Sequence, residues 1–226
     1  MRLYYVPLLA VWACGSLSLF SPSAAHAQMD RLYVRGDLGG NWTHDADLKE
    51  FFGESLAPGS KVKFDPGVRF GVGVGYQLTD WFAGEAESGV MANSIDSITD
   101  AERVDAVFSN IPLMGGIRIQ CPLWDRFRPY IGGGAGVSFA VISSDKIEIG
   151  GTRMHGSEAD AVFAYHGYGG LRFKLNDRMG LSVEYHYFHA DGADWKAEFT
   201  SNTISDRMRF GATQTHAVSV AFDYHF

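Results

Sequence analysis

The stretch His216-Ala217-Val218-Ser219-Val220-Ala221-Phe222-Asp223-Tyr224-His225-Phe226 carries an alternation to the last residue of the chain. Side chains of an extended strand point to opposite faces in turn, so Val218, Val220, Phe222, Tyr224 and Phe226 share one face. Ala217, Ser219, Ala221, Asp223 and His225 share the other. A pattern that reaches Phe226 predicts a terminal strand that is paired and packed, not a frayed tail.

The same period recurs seven times upstream, at 31–42, 68–78, 82–90, 107–120, 128–141, 163–175 and 181–188. Strands of roughly 10 to 14 residues exceed the usual 5 to 6 of soluble sheets and suit a tilted bilayer crossing. The connections alternate in length. Short turns follow the second, fourth and sixth strands, while polar segments at 43–66, 93–103, 143–158 and 190–209 follow the others and are expected to be long loops. Short turns on one side and long loops on the other are the pattern of an outer-membrane barrel.

Alternation alone does not say which face meets lipid; the aromatic residues do. Trp81, Trp124, Phe127, Phe173, Tyr224 and Phe226 cluster at the short-turn end, and Trp42, Phe139, Tyr187 and Phe210 near the long-loop end. Two aromatic girdles flanking an apolar band suit two membrane–water interfaces. The expected fold is all-β, an eight-stranded antiparallel up-and-down transmembrane β-barrel. The last strand must pair with the first, because an open edge in lipid leaves backbone polar groups unsatisfied.

Composition agrees. Glycine is abundant at 27 residues and aromatics reach 14%; glycine disfavours helix and aromatics favour strand. Arg2, an apolar run from Leu3 to Phe20 and the Ala25-His26-Ala27 site predict a secretory signal peptide over 1–27, leaving 28–226 as the barrel domain. The mature chain then keeps one cysteine, Cys121, so no intramolecular disulfide is expected. The formal charge of −7 excludes the basic footprint of a nucleic-acid binder.

The signal, the eight alternating strands, the Phe-Asp-Tyr-His-Phe end and Tyr130-Ile131-Gly132-Gly133-Gly134-Ala135-Gly136 together resemble the small outer-membrane β-barrels of Gram-negative bacteria, the opacity-type and OmpX-like proteins. Val183-Glu184-Tyr185-His186-Tyr187 is similar to a Glu-Tyr-Arg-Tyr stretch of that family, with His186 in place of the arginine. The resemblance implies recognition of Phe222, Tyr224 and Phe226 by the barrel-assembly machinery. It also implies surroundings of outer-membrane lipid and lipopolysaccharide. No wall-binding domain follows the barrel in this sequence, so a wall-tethering role is not implied.

With the apolar face outward, the inward charges are Arg35, Asp37, Arg69, Glu85, Glu87, Arg118, Arg128, Arg172, Lys174, Glu184 and Asp223. Their near balance predicts a salt-bridge network filling the lumen, since buried charges are tolerated when paired. Gly71, Gly73 and Gly75 form one inward stripe, and Gly132, Gly134 and Gly136 another. They are expected to make room for the arginines; the competing readings are a tightening of the barrel's curvature and a narrow wet passage or small-ligand cavity. The membrane-interface positions are assigned to Trp42, Trp81, Trp124, Phe139, Phe173 and Tyr187.

The histidines show no metal-ligand spacing, and no cofactor is expected. Some eight-stranded outer-membrane barrels are lipid A deacylases with a late His-x-Ser-Asn stretch. Here the nearest equivalent is His189-Ala190-Asp191-Gly192, with an aspartate where the serine nucleophile should stand. The expected function is therefore a non-catalytic surface protein. Its plugged barrel presents four long loops, with Lys49 to Gly53 and Asp191 to Lys196 as segments whose exposed aromatics meet a partner or the lipid surface. A narrow pore is the second reading and a deacylase-like enzyme the third. The sequence names no extracellular or host ligand.

Overall fold

The computed structural model describes residues 31–51, 54–55, 59–99, 101–122, 126–149, 152–196 and 207–226. The signal segment and Trp124 lie outside them. The strands are β1 (Leu32–Thr43), β2 (Ala46–Phe51), β3 (Glu54–Ser55), β4 (Lys61–Phe64), β5 (Gly67–Thr79), β6 (Phe82–Ile98) and β7 (Ala101–Gln120). They continue with β8 (Phe127–Ile149), β9 (Thr152–Lys174), β10 (Met179–Ala190), β11 (Asp194–Lys196), β12 (Arg207–Phe210) and β13 (Thr213–His225).

Eight of these close a ring of antiparallel neighbours in the order β1-β5-β6-β7-β8-β9-β10-β13. The seam is β1 against β13, with Tyr33 opposite His225 and Thr43 opposite Thr215. This is the up-and-down barrel that the alternation predicts. Its outer wall is apolar. Leu38, Val68, Leu113, Ile131 and Val183 are each about 60% exposed, while the residues between them are turned inward. The β9–β10 turn is fixed by Asn176, whose Oδ1 accepts the backbone N–H of Arg178 at 2.9 Å and of Met179 at 2.8 Å, as asparagine does in tight turns.

The long connections differ from expectation. In the segments 93–103 and 143–158, residues 93–98, 101–103, 143–149 and 152–158 are strand, not loop. β6 runs to Ile98 and β7 starts at Ala101, while β8 runs to Ile149 and β9 starts at Thr152. The β8–β9 register shifts between Ser144 and Ile147, beside Gly156, whose φ of 135 is one that only glycine adopts without strain.

The other two connections contain short strands that pair in the order β11-β12-β2-β4 and join the upper part of β6. On the far side, β11 meets β9 through the Asp194 N–H, which donates to Asp160 Oδ2 at 2.8 Å. The upper halves of β6 to β9 and these short strands thus surround one apolar core. Leu48, Val62, Ile95, Phe108, Ile142, Trp195, Met208 and Phe210 are all buried in it.

Two aromatic assignments are corrected here. Phe210 does not rest at the membrane surface, and Trp195 does not project from a loop; both are about 1% exposed. Trp195 stands edge-on to Phe210 at 4.8 Å, and its indole N–H donates to the Ala140 carbonyl at 2.9 Å. An indole is retained in a core when its N–H finds an acceptor, and the backbone of β8 supplies one. Lys49 to Gly53 falls partly outside the described residues.

Candidate functional site in the barrel lumen

Inward side chains of the ring strands fill the space between the short-turn mouth and the apolar core. Their pairing runs across the barrel as well as along neighbouring strands. Arg35 on β1 is paired with Glu184 on β10, which also accepts the Tyr130 hydroxyl from β8 and lies 3.0 Å from His186 Nε2. Glu85 on β6 accepts the Tyr33 hydroxyl at 2.5 Å, accepts the Tyr168 hydroxyl, and lies 3.6 Å from Arg118. The Arg118 guanidinium sits 3.9 Å above the Tyr130 ring and Arg35 5.2 Å from the Tyr168 ring, both within cation–π range. Arg69 Nε donates to Asp37 Oδ1 at 2.8 Å. Glu87 lies 3.0 Å from His166 Nδ1. Nearer the short-turn mouth, Arg172 grips Asp223 through both Nε and Nη2.

Nine of the eleven inward charges therefore meet partners within the lumen. Lys174 and Arg128 do not join them. Lys174 turns to Asp177 in the short turn at 2.7 Å, and this hydrogen bond holds the exposed Asp177 carboxyl below its ordinary range. Arg128 makes no ion pair among the described residues, and its Nε is buried without an acceptor.

The sequence reading missed the tyrosines and histidines as members of this network. Their signal is a register. Tyr33 lies opposite Gly75, Tyr168 opposite Gly132, and Tyr130 opposite Gly170. A Cβ on any of the three glycines would run into the facing tyrosine. The sequence reading that the two glycine stripes make room for arginines is corrected here. Gly75 and Gly132 admit the rings of Tyr33 and Tyr168, Gly71 admits the Asp37 carboxylate, and Gly134 admits the His166 ring. Gly73 lies opposite Arg35, yet a Cβ there would meet Ala86 and Glu87. At Gly136 the close neighbour is the Leu113 carbonyl of the adjacent strand.

Above the charges lies a neutral polar belt. The Thr43 hydroxyl is 3.0 Å from Asn93 Oδ1 and 2.8 Å from the Thr215 hydroxyl, and the Ser138 hydroxyl donates to Asn110 at 3.2 Å. The apolar core follows directly. At the other end a cavity of ≈ 240 Å³ opens to the short-turn side, among Arg31, Gln77, Gln120, Arg128 and Lys174.

Of the aromatic positions read from sequence, Trp42, Trp81 and Phe139 are exposed on the outer wall, and Phe173 and Tyr187 are half-buried there. Phe222 and Phe226 are exposed on the same wall, and Tyr224 is edge-on to Phe226 at 5.4 Å.

Seryl and histidyl groups do approach one another: Ser219 Oγ is 3.3 Å from His186 Nε2. Glu184 meets that same nitrogen, however, while His186 Nδ1 is buried without a partner. A catalytic relay needs the acid on one ring nitrogen and the nucleophile on the other. His189, the residue nearest the deacylase position, stacks on Tyr165 at 4.7 Å and lies 3.6 Å from Asp191. No group of three or more metal-ligating side chains is assembled among the described residues.

The architecture matches known outer-membrane proteins although their sequences have diverged. Neisserial surface protein A (NspA) superimposes with a TM-score of 0.53 at 12% identity, over 86% of this chain and 97% of that one. The outer membrane protein OprG of Pseudomonas aeruginosa gives 0.54 at 14% identity, over 86% and 96%. The outer membrane protease OmpT of Escherichia coli gives 0.50 at 8% identity, over 88% and 97%, so the shared fold does not by itself decide between catalytic and non-catalytic members. No curated protein matches the sequence. The outer membrane protein beta-barrel domain matches residues 12–226. The chain belongs to that family, a transmembrane β-barrel of the Gram-negative outer membrane.

Proposed function

We propose that the protein is a non-catalytic surface protein, a plugged barrel that anchors a strand-built outer portion for envelope integrity, adhesion or another surface interaction. The observation that carries this reading is the double closure of the lumen. Charged and tyrosine side chains interlock across its centre, and the apolar core around Trp195, Phe108 and Phe210 covers its outer end. An ion crossing from end to end would have to break the buried pairs and then enter a dry apolar region, each step costing several kcal/mol. The unused geometry at His186 and Ser219 speaks against acyl transfer there.

The sequence of the outer portion is acidic. The segments 44–66, 93–106, 143–160 and 190–212 carry seventeen acidic and nine basic residues, while the rest of 28–226 carries nine of each. The presented surface therefore suits partners of positive charge, or lipopolysaccharide bridged by divalent cations. Assembly would use Phe222, Tyr224 and Phe226 as the signal read by the assembly machinery, after the 1–27 segment directs secretion.

Single-channel recording of the refolded mature protein in a planar bilayer tests the central claim. Electrical silence is expected. Steady, resolvable openings would overturn the plug and revive the pore reading.

A further inference from the structure

We infer that the periplasmic mouth of the barrel is an oxyanion site centred on Arg128, built to take a phosphate group. Three observations carry this. The first is the orphan cation. Arg128 has no ion-pair partner among the described residues, and its Nε is buried with no acceptor, a state that costs free energy unless something else accepts the hydrogen bond.

The second is its neighbour. In the β8–β9 register Arg128 stands directly opposite Arg172, and like charges directly opposite are destabilising. One carboxylate, Asp223, lies at this level, and it is held by Arg172 through two nitrogens with His225 at 3.3 Å. Among the described residues no carboxylate is paired with Arg128.

The third is space. The ≈ 240 Å³ cavity is bordered by Arg31, Arg128, Arg172 and Lys174. That volume holds several waters at about 30 Å³ each, and so holds a phosphate group with part of its hydration. Arg31 donates to the Leu78 carbonyl at 3.3 Å and Lys174 is tied to Asp177, so both can lend charge from the rim while Arg128 makes the direct contact. Asp80, the remaining carboxylate on the wall, forms no ion pair with any of the four and is exposed. A guanidinium fork matches two phosphate oxygens, which gives orientation as well as attraction. The phosphate arrives from the periplasm as free phosphate or as a phospholipid headgroup of the inner leaflet.

The test is a titration of the refolded mature protein with inorganic phosphate in uncharged maltoside micelles, with ionic strength held constant by chloride, read by calorimetry. Saturable binding is expected. Arg128→Met should weaken it by about tenfold or more, the loss of one charged hydrogen-bonding partner, while unboiled gel mobility reports an intact barrel. Arg128→Lys should fall between the two. Asp80→Asn, which removes the competing negative charge without touching the packed lumen, should tighten binding, and it serves if Arg128→Met does not fold. A response to phosphate no different from chloride, or equal affinity in wild type, Arg128→Met and Asp80→Asn, would overturn the site. Doping the micelles with phosphatidylglycerol separates the sources. A lipid headgroup in the site would abolish the phosphate titration, whereas a site for free phosphate would leave it unchanged.

Discussion

The same strands obey opposite rules at their two ends. In the membrane-spanning part of β7, Leu113, Ile117 and Ile119 face outward and Arg118 faces in. Above the Thr43–Asn93 belt the inward residues of β7 are Phe108 and Ala106, and Asp105 is exposed. Below the belt the barrel is apolar outside and charged inside; above it, past Val107 at the boundary, the exposed side chains of β6 and β7 are polar and the inside is apolar. The solvent around each part explains the inversion. Lipid rewards an apolar exterior and leaves the lumen to balanced charge. Water rewards burying apolar side chains, at about 1.5–3 kcal/mol for each large one. One pairing of strands thus supports two folding logics joined end to end.

The comparison can be broken from below by removing Glu184. Its carboxylate meets Arg35, Tyr130 and His186, so Glu184→Ala strands three buried polar groups. About 3–5 kcal/mol of barrel stability should be lost, measured as a lower urea midpoint for the protein in vesicles. The double change Arg35→Met with Glu184→Met should recover most of that loss. If the single change alone is silent, the lumen is wet and its charges do not depend on one another.

From above, Trp195→Ala empties the largest buried side chain of the outer portion. A local loss of about 3–4 kcal/mol is expected. It should appear as faster proteolysis and hydrogen exchange in β11, β12 and β2, with the unboiled gel mobility of the membrane ring unchanged. Equal loosening of the ring would show that the two parts unfold as one.

A smaller effect sharpens the account of the glycines. Gly75→Ala places a Cβ against the Tyr33 ring and should cost about 1–3 kcal/mol as overpacking. Combined with Tyr33→Ala it should cost no more than Tyr33→Ala alone, because the collision has gone. Strict additivity of the two changes would mean that Gly75 is needed for backbone curvature instead.

The membrane ring was legible because lipid imposes a long, regular alternation with an apolar face, and that pattern survives at Val218 to Phe226 and in the strands upstream. The outer portion was not. β2, β4, β11 and β12 are short and carry mixed polarity, and 93–103 and 143–158 keep their strands after losing the apolar outward face on which the reading relied. The inward charges were legible as a set, since facing follows from period two. Their partners were not, because Arg35 and Glu184 are 149 residues apart and sit on strands separated by β13. The tyrosine–glycine matches require the register between strands, which the turns fix and a single strand does not display.

The apolar core outside the bilayer has a thermal consequence. Its cohesion comes from water, whose contribution to burial weakens on cooling and carries a large heat capacity. The ring below is held by hydrogen bonds and ion pairs shielded from water and lacks that dependence. The molecule's two ends therefore keep different temperatures of greatest stability, and on cooling below its own maximum the outer portion loosens before the ring does.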